Sequence, residues 1–337
     1  MSNNPKRHHH LAQTIQRNFL EAGDTKLWWY SRALDRYEER TPYGIAHGKN
    51  TYTFSNVEGE DRYALELAFS KVEDKAGPAF KKLAASLNLT QMERNAISEF
   101  VGFQFLRTPS KIEMLQKIRD VGGAQIVDGF AAHVKRMTPN EFAAYINQYE
   151  AKTGKTMALS QKDLVTSLKT RPPKVTSTKE GTLESLVELG TDLTVEYSKR
   201  TWTVLHAPQG SSFITSSEGV FLASDRHRSD PHAGPKSPGM STIFPFSRHA
   251  VLVIEASGPP AIEHAQTDEL TVATVNDGLA RISGEIYGSP RPLLEAIVKR
   301  NELATTQFEI HVHENRLRET FSKHIEKNAD EAFPRTE

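Results

Sequence analysis

Six polar residues in the first third of the chain have types and spacings suited to chemistry. They are His8 and His9 in "HHHLAQTIQRNF", Glu66 and Glu73 in "ALELAFSKVE", and Gln104 and Arg107 in "FQFLRTP". A neutral imidazole can ligate a metal or move a proton near pH 7. A histidine run this close to the N-terminus also resembles a tag or a solvated tail. Here, however, it continues into Gln13, Arg17 and Phe19. Glu66 and Glu73 lie two helical turns apart on one side of a helix, with the apolar Phe69 between them. Carboxylates so spaced could hold a divalent metal, act as acid and base, or pair with Arg107. The plain alternative is the solvated edge of an amphipathic helix. Gln104 and Arg107 interrupt an apolar run and share a helix face. An arginine buried there without an anion would cost several kcal/mol, on the order of 3–5. Its partner is either a carboxylate of the protein or a phosphate or carboxylate of a ligand.

The bulk composition limits the setting of this chemistry. The chain has 337 residues, 37% hydrophobic and 25% charged, with 42 basic against 42 acidic side chains. That composition suits a globular core under a polar surface, and it lacks the basic excess of a general polyanion binder. With no cysteine, disulfides, thiolate metal sites and a cysteine nucleophile are excluded. No signal-type or membrane-length apolar run occurs, so a cytoplasmic protein without a membrane partner is expected.

The elements that must position these residues follow from periodicity. Short strands are predicted over 26–34 and 51–54. From about residue 62, Leu65, Phe69, Val72 and Ala76 fall at helical spacing, with Pro78 kinking or restarting the helix. Thr90 and Glu93 form a capping-box pattern, and Thr108–Pro109 marks a stop. Further helix is predicted over 111–134, and another starts at Thr138–Pro139. The stretch 151–182 reads as a mobile connection. A helix over 183–198 then leads into short strands between 200 and 256, and helix returns over 267–327. The class predicted is α+β, a mainly helical body packed with a sheet of short, largely antiparallel strands. Segments 1–150 and 183–327 are expected to form one domain across the connection.

Several named chemistries are absent. The sequence has no nucleophile elbow, Walker-type loop, dinucleotide fingerprint or HExxH helix. His311 and His313, and the loop Asp225–His232, could hold a metal but read more simply as a junction and a solvated loop.

Taken in order, these motifs resemble a bacterial family called domain of unknown function 4238. "HHHLAQTIQRNF" is similar to its opening signature HHxxPQxYLRxF, with His8, His9, Gln13, Arg17 and Phe19 in matching positions. "ALELAFSKVE" resembles its paired-glutamate helix, and "FQFLRTP" its QxxRTP element. "FITSSEGV" resembles its FxTSDxP strand, bringing in Thr215 and Ser216, and "IFPFS" its FPLS strand. The resemblance runs from about Lys6 to Tyr287. It departs at Ala12, Ile15 and Gln16, at Ser217 where the family has aspartate, and at Gly219 where it has proline. Asp225 is the nearest aspartate downstream that could substitute.

The resemblance implies no settled reaction. The residues themselves suggest a hydrolase acting on a phosphate-containing substrate, a nucleotide or nucleic acid, in a defence or toxin role. His8, His9, Glu66 and Glu73 are the candidate catalytic groups, with a divalent metal as candidate cofactor. Gln104, Arg107, Gln13, Arg17, Thr215 and Ser216 are the candidate substrate-binding groups. The alternative is a non-catalytic protein in which the same side chains form a buried network tying the N-terminal arm to the helices. Either reading expects His8 and His9 to be ordered and to face inward near Gln104 and Arg107.

Overall fold

The computed structural model describes residues 7–224 and 233–304. The described chain divides into two units, one of residues 7–113 with 183–304, the other of residues 114–182. The class is α+β.

The first unit opens with strand β1 (Arg7–His9), the short helix α1 (Gln13–Gln16), and strands β2 (Leu27–Ser31), β3 (Arg36–Arg40) and β4 (His47–Lys49). Helices α2 (Ala64–Ala84) and α3 (Gln91–Leu106) follow, then the first turn of α4 (Pro109–Arg136). The rest of α4 lies in the second unit with α5 (Pro139–Thr153), α6 (Gln161–Thr170) and the start of α7 (Lys179–Ser198). In that unit the Gln161 amide donates to the carbonyls of Val134 and Met137, closing the end of α4.

Back in the first unit, the chain supplies β5 (Trp202–His206), β6 (Thr215–Ser216), β7 (Phe221–Ala223), β8 (Ser241–Ser247), β9 (Ala250–Ile254) and β10 (Ile262–Gln266). It closes with α8 (Glu269–Arg281), β11 (Glu285–Gly288) and α9 (Arg291–Arg300). Strands β10-β5-β9-β8-β7 form a sheet in which only β10–β5 is parallel, and β3-β2-β11-β6 form an antiparallel one. β1 pairs antiparallel with β4, placing His9 opposite His47.

Aromatic packing ties helix to sheet. Phe80 of α2 meets Phe100 of α3 at 5.2 Å, and Phe244 and Phe246 of β8 at 5.6 and 5.3 Å. Each such pair adds about 0.5–1.5 kcal/mol beyond its burial. β8 shifts register between Pro245 and Ser247, where proline has no N–H for the ladder. Asn18 takes up the irregularity: its amide donates to the Phe246 carbonyl, and its own carbonyl accepts from Arg248 N–H, both at 3.0 Å. The segment after the histidine run is thereby fixed to the sheet, with Leu11, Ala12, Ile15 and Phe19 all buried.

The predicted capping box forms at Thr90/Glu93, and the predicted N-cap Thr138 makes a second box with Glu141. Four expectations are corrected. Pro78 does not restart the helix; α2 runs through it, with the proline on the exposed face and Ala76, Ala79, Phe80 and Leu83 buried around it. Residues 51–54 are irregular, since Tyr52 is turned into the core by contacts described below. The connection 151–182 contains helix α6, capped by the Ser160 hydroxyl. Strand β11 interrupts the helix expected over 267–327, whose part beyond 304 lies outside the described residues. No helix among the described residues is long and apolar enough to cross a membrane.

Candidate functional site

The N-terminal arm is held by a chain of buried hydrogen bonds. Tyr52 N–H donates to His8 Nδ1 at 2.9 Å, which places the ring proton on Nε2. The His8 ring stacks on Tyr52, at 5.5 Å between centroids. The Tyr52 hydroxyl donates to the Arg107 carbonyl at 2.6 Å. Arg107 donates from Nε and Nη2 to Gln104 Oε1, at 3.0 and 2.7 Å, and from Nη1 to Glu73 Oε1 at 2.7 Å. The Gln104 amide nitrogen then donates to the His10 carbonyl at 2.6 Å. Phe69 and Phe100 lie against the guanidinium, at 5.4 and 5.5 Å. Arg107 is thus buried with a protein carboxylate as its anion, the first of the two partners its position requires.

The remaining expected residues are placed as follows. Glu66 Oε2 is 3.9 Å from His8 Nδ1, beyond hydrogen-bond reach. Burial raises the Glu66 carboxyl to about 7, with Arg107 opposing the shift and Glu73 adding to it. His9 is half-buried, its Nε2 3.4 Å from the Tyr43 carbonyl and its ring edge-on to His47. Burial lowers it to about 4, against the hydrogen bond to Tyr43. Gln13 and Arg17 bond to each other at 3.0 Å, with Arg17 exposed. Thr215 is buried in β6. The Ser216 hydroxyl accepts from the backbone N–H groups of Glu218 and Gly219, closing the turn after that strand. His8, Glu73, Gln104 and Arg107 therefore meet in one network that positions the arm, while Gln13, Arg17, Thr215 and Ser216 lie outside it. The loop Asp225–His232, His311 and His313 fall outside the described residues.

Beside this network lies a cavity of about 380 Å³ whose polar lining comprises His10, His47, Ser110, Glu113, Glu218 and Glu285, with Arg40 at its wall. Two of these residues carry unusual burdens. The His10 imidazole is buried, and neither ring nitrogen has a hydrogen-bond partner among the described residues. Burial lowers it to about 3, and the Arg107 charge adds to the shift, so the ring is neutral across the physiological range. An unsatisfied polar group of this kind costs about 1–3 kcal/mol.

Glu218 is also buried, and burial raises its carboxyl against the hydrogen bonds and Lys111 charge that lower it. The Thr108 and Ser110 hydroxyls both donate to its Oε2, at 2.9 and 2.5 Å. The proton that burial favours therefore belongs on Oε1. Arg40 is already committed to Glu38 and lies 3.6 Å over the Trp29 ring, so it adds little free positive charge to the cavity.

Neither His10 nor Glu218 is among the residues the motifs single out. His10 occupies a position that the signature leaves free, and Glu218 follows the aligned position Ser217 by one residue. A signal for Glu218 is present in the departures themselves. Gly219 has φ +69°, a conformation closed to the proline that the motif has there. The turn is therefore built differently, and the acid it delivers inward is Glu218. A Cβ at Gly219 would also lie 3.1 Å from Leu11 and 3.2 Å from Gln104, tight contacts that add to the backbone preference for glycine.

Among the described residues no three His, Asp or Glu side chains are placed to share a metal ion. What the geometry defines is an α+β protein with a buried N-terminal histidine arm and an acid-lined cavity against it. The chain belongs to the family described as protein of unknown function DUF4238, whose model matches residues 7–292. No curated protein and no solved structure matches the chain.

Proposed function

We propose that the protein is a hydrolase that works by general acid–base catalysis in the His10–Glu218 cavity. The observation carrying this reading is the His10 imidazole, kept buried and unpartnered in the wall of a cavity that also holds a buried carboxyl group. Two titratable groups whose environments push them apart divide naturally into acid and base. Glu218, whose carboxyl burial pushes toward the protonated form, gives a proton from Oε1 to the leaving group. His10, neutral, is the base for the attacking water, which it meets when its ring, closed to solvent in this structure, turns into the cavity. Loss of the Glu218 proton leaves a carboxylate in the same cavity, which raises the proton affinity of His10 as the reaction proceeds.

The network of His8, Glu73, Gln104 and Arg107 supports the site by fixing the arm. Arg107 is the residue that suggested a phosphate-containing substrate, and its guanidinium is spent on Gln104 and Glu73. Beside Glu218 the cavity presents Glu113 and Glu285, and its Arg40 is already paired with Glu38. That lining favours a compact uncharged or cationic substrate over a phosphate ester or a nucleic acid. The test is a panel of chromogenic esters, amides and glycosides set beside phosphate mono- and diesters. Turnover is expected in the uncharged set, and turnover confined to the phosphate set would contradict the proposed substrate class.

The non-catalytic reading draws its support from the same saturation of Arg107, which is what a purely structural network requires. It offers no account of the unpartnered His10.

A further inference from the structure

Elsewhere in the first unit, three polar side chains from separate segments converge. Ser86 follows helix α2 in a left-handed conformation, φ +54°. His206 ends β5, and His264 lies in the middle of β10. The parallel register sets His264 opposite Val204 and Gln266 opposite His206, so the two histidines stand on one face, a diagonal step apart. His206 Nε2 is 3.1 Å from His264 Nδ1, and Ser86 Oγ lies 3.3 and 3.2 Å from those same two nitrogens.

We infer that Ser86, His206 and His264 form a binding site for a divalent first-row transition-metal ion of the zinc or copper type. Three donors about 2.0–2.1 Å from a tetrahedral ion stand roughly 3.3 Å from one another, close to the edges of this triangle. The rings now stack, their planes 23° from parallel. Metal binding therefore requires each imidazole to turn about its Cβ–Cγ bond so that both lone pairs meet at the ion. His264 is exposed, and a cavity of about 300 Å³ lined by Ser86, Asn88, Thr90, Arg94 and His264 adjoins the site. The ion is therefore reachable, and its remaining coordination positions are open to water or to an added ligand. Two imidazoles and a hydroxyl, with no thiolate and no carboxylate in the triangle, suit zinc or copper better than magnesium or calcium. Nothing in this site depends on the His10–Glu218 cavity.

The test titrates the untagged full-length chain with Zn²⁺ alone by calorimetry. Paramagnetic resonance with Cu²⁺ then reads the ligand nitrogens. One ion per chain is expected, with two nitrogen ligands in the copper spectrum. His206→Ala and His264→Ala should each weaken binding at least tenfold, and Ser86→Ala should weaken it less. His264 is exposed, so His264→Gln serves as the variant whose melting curve stays that of the wild type. Zinc binding unchanged in both histidine variants, or no zinc bound by the wild type at millimolar concentration, overturns the proposal.

Discussion

Arg107→Met is expected to lower folding stability by about 3 kcal/mol, the largest loss predicted for any single change in the arm network. The substitution keeps the apolar contacts with Phe69 and Phe100 but removes three hydrogen bonds. Gln104 Oε1 is left buried without its two donors, and Gln104 is the residue that holds the His10 carbonyl. Glu73 keeps some contact with water, its side chain 22% exposed, which sets the loss at the lower end of the range for a broken buried pair. Arg107→Lys should recover less than half, because an ammonium cannot make the fork that reaches Gln104 and Glu73 together. Urea denaturation measures this directly, as a lowered midpoint at constant slope. A loss under about 1 kcal/mol would show that the guanidinium is there for a ligand and not for the fold.

The second large effect is on turnover. Glu218→Gln should reduce hydrolysis of the best substrate in the panel by about 10²–10⁴-fold, the range for loss of a general acid or base. The amide oxygen can still accept from Thr108 and Ser110, so the melting temperature should hold. His10→Leu should abolish turnover to a similar degree while raising stability, since it removes two buried nitrogens without partners.

The gain should grow in acid. His10 is lowered to about 3 in the folded protein, against its ordinary 6.5 in the unfolded chain. Between those values the unfolded chain binds a proton that the native state refuses. The stability linked to His10 is therefore complete above pH 6.5 and is lost as pH falls toward 3. The leucine variant lacks that loss, so its stability curve is flatter below pH 6.5. Wild-type turnover in both variants would exclude the cavity as the catalytic site.

The contrast between these experiments matches what could be read from sequence. Thr90 with Glu93 is a local signal, three residues apart, and its box forms where the spacing puts it; Thr138 caps its helix as its type and the following proline predict, and Glu141 completes a second box there. Gln104 and Arg107 are also local, and their meeting follows from helical geometry. The partner of Arg107 was one of two chemical choices, and choosing Glu73 required knowing how α2 packs on α3. β1 is three residues long and is defined only by its pairing with β4, some forty residues away, so it has no periodicity of its own.

The cavity is more distant still from any local pattern. Its polar wall gathers single residues from the arm, the β3–β4 region, the start of α4, the turn after β6 and strand β11. His10 could not be distinguished within a run of three histidines, because what separates it is the absence of a partner for its ring. Glu218 was obscured by a motif whose acid lies one position earlier. Here the left-handed Gly219 reshapes the turn, and that conformation is visible only in the folded backbone.

The most direct measurement of the central claim needs no substrate. Long-range ¹H–¹⁵N spectra of the histidine rings, recorded from pH 7.5 down to pH 5, follow the protonation of each imidazole. Assignment of His10 comes from the signal missing in His10→Leu. A His10 ring that stays neutral over the whole range, as burial to about 3 requires, is the predicted result. A His10 ring that titrates near 6.5 like a solvated imidazole would contradict the buried, unpartnered group on which the proposed chemistry rests.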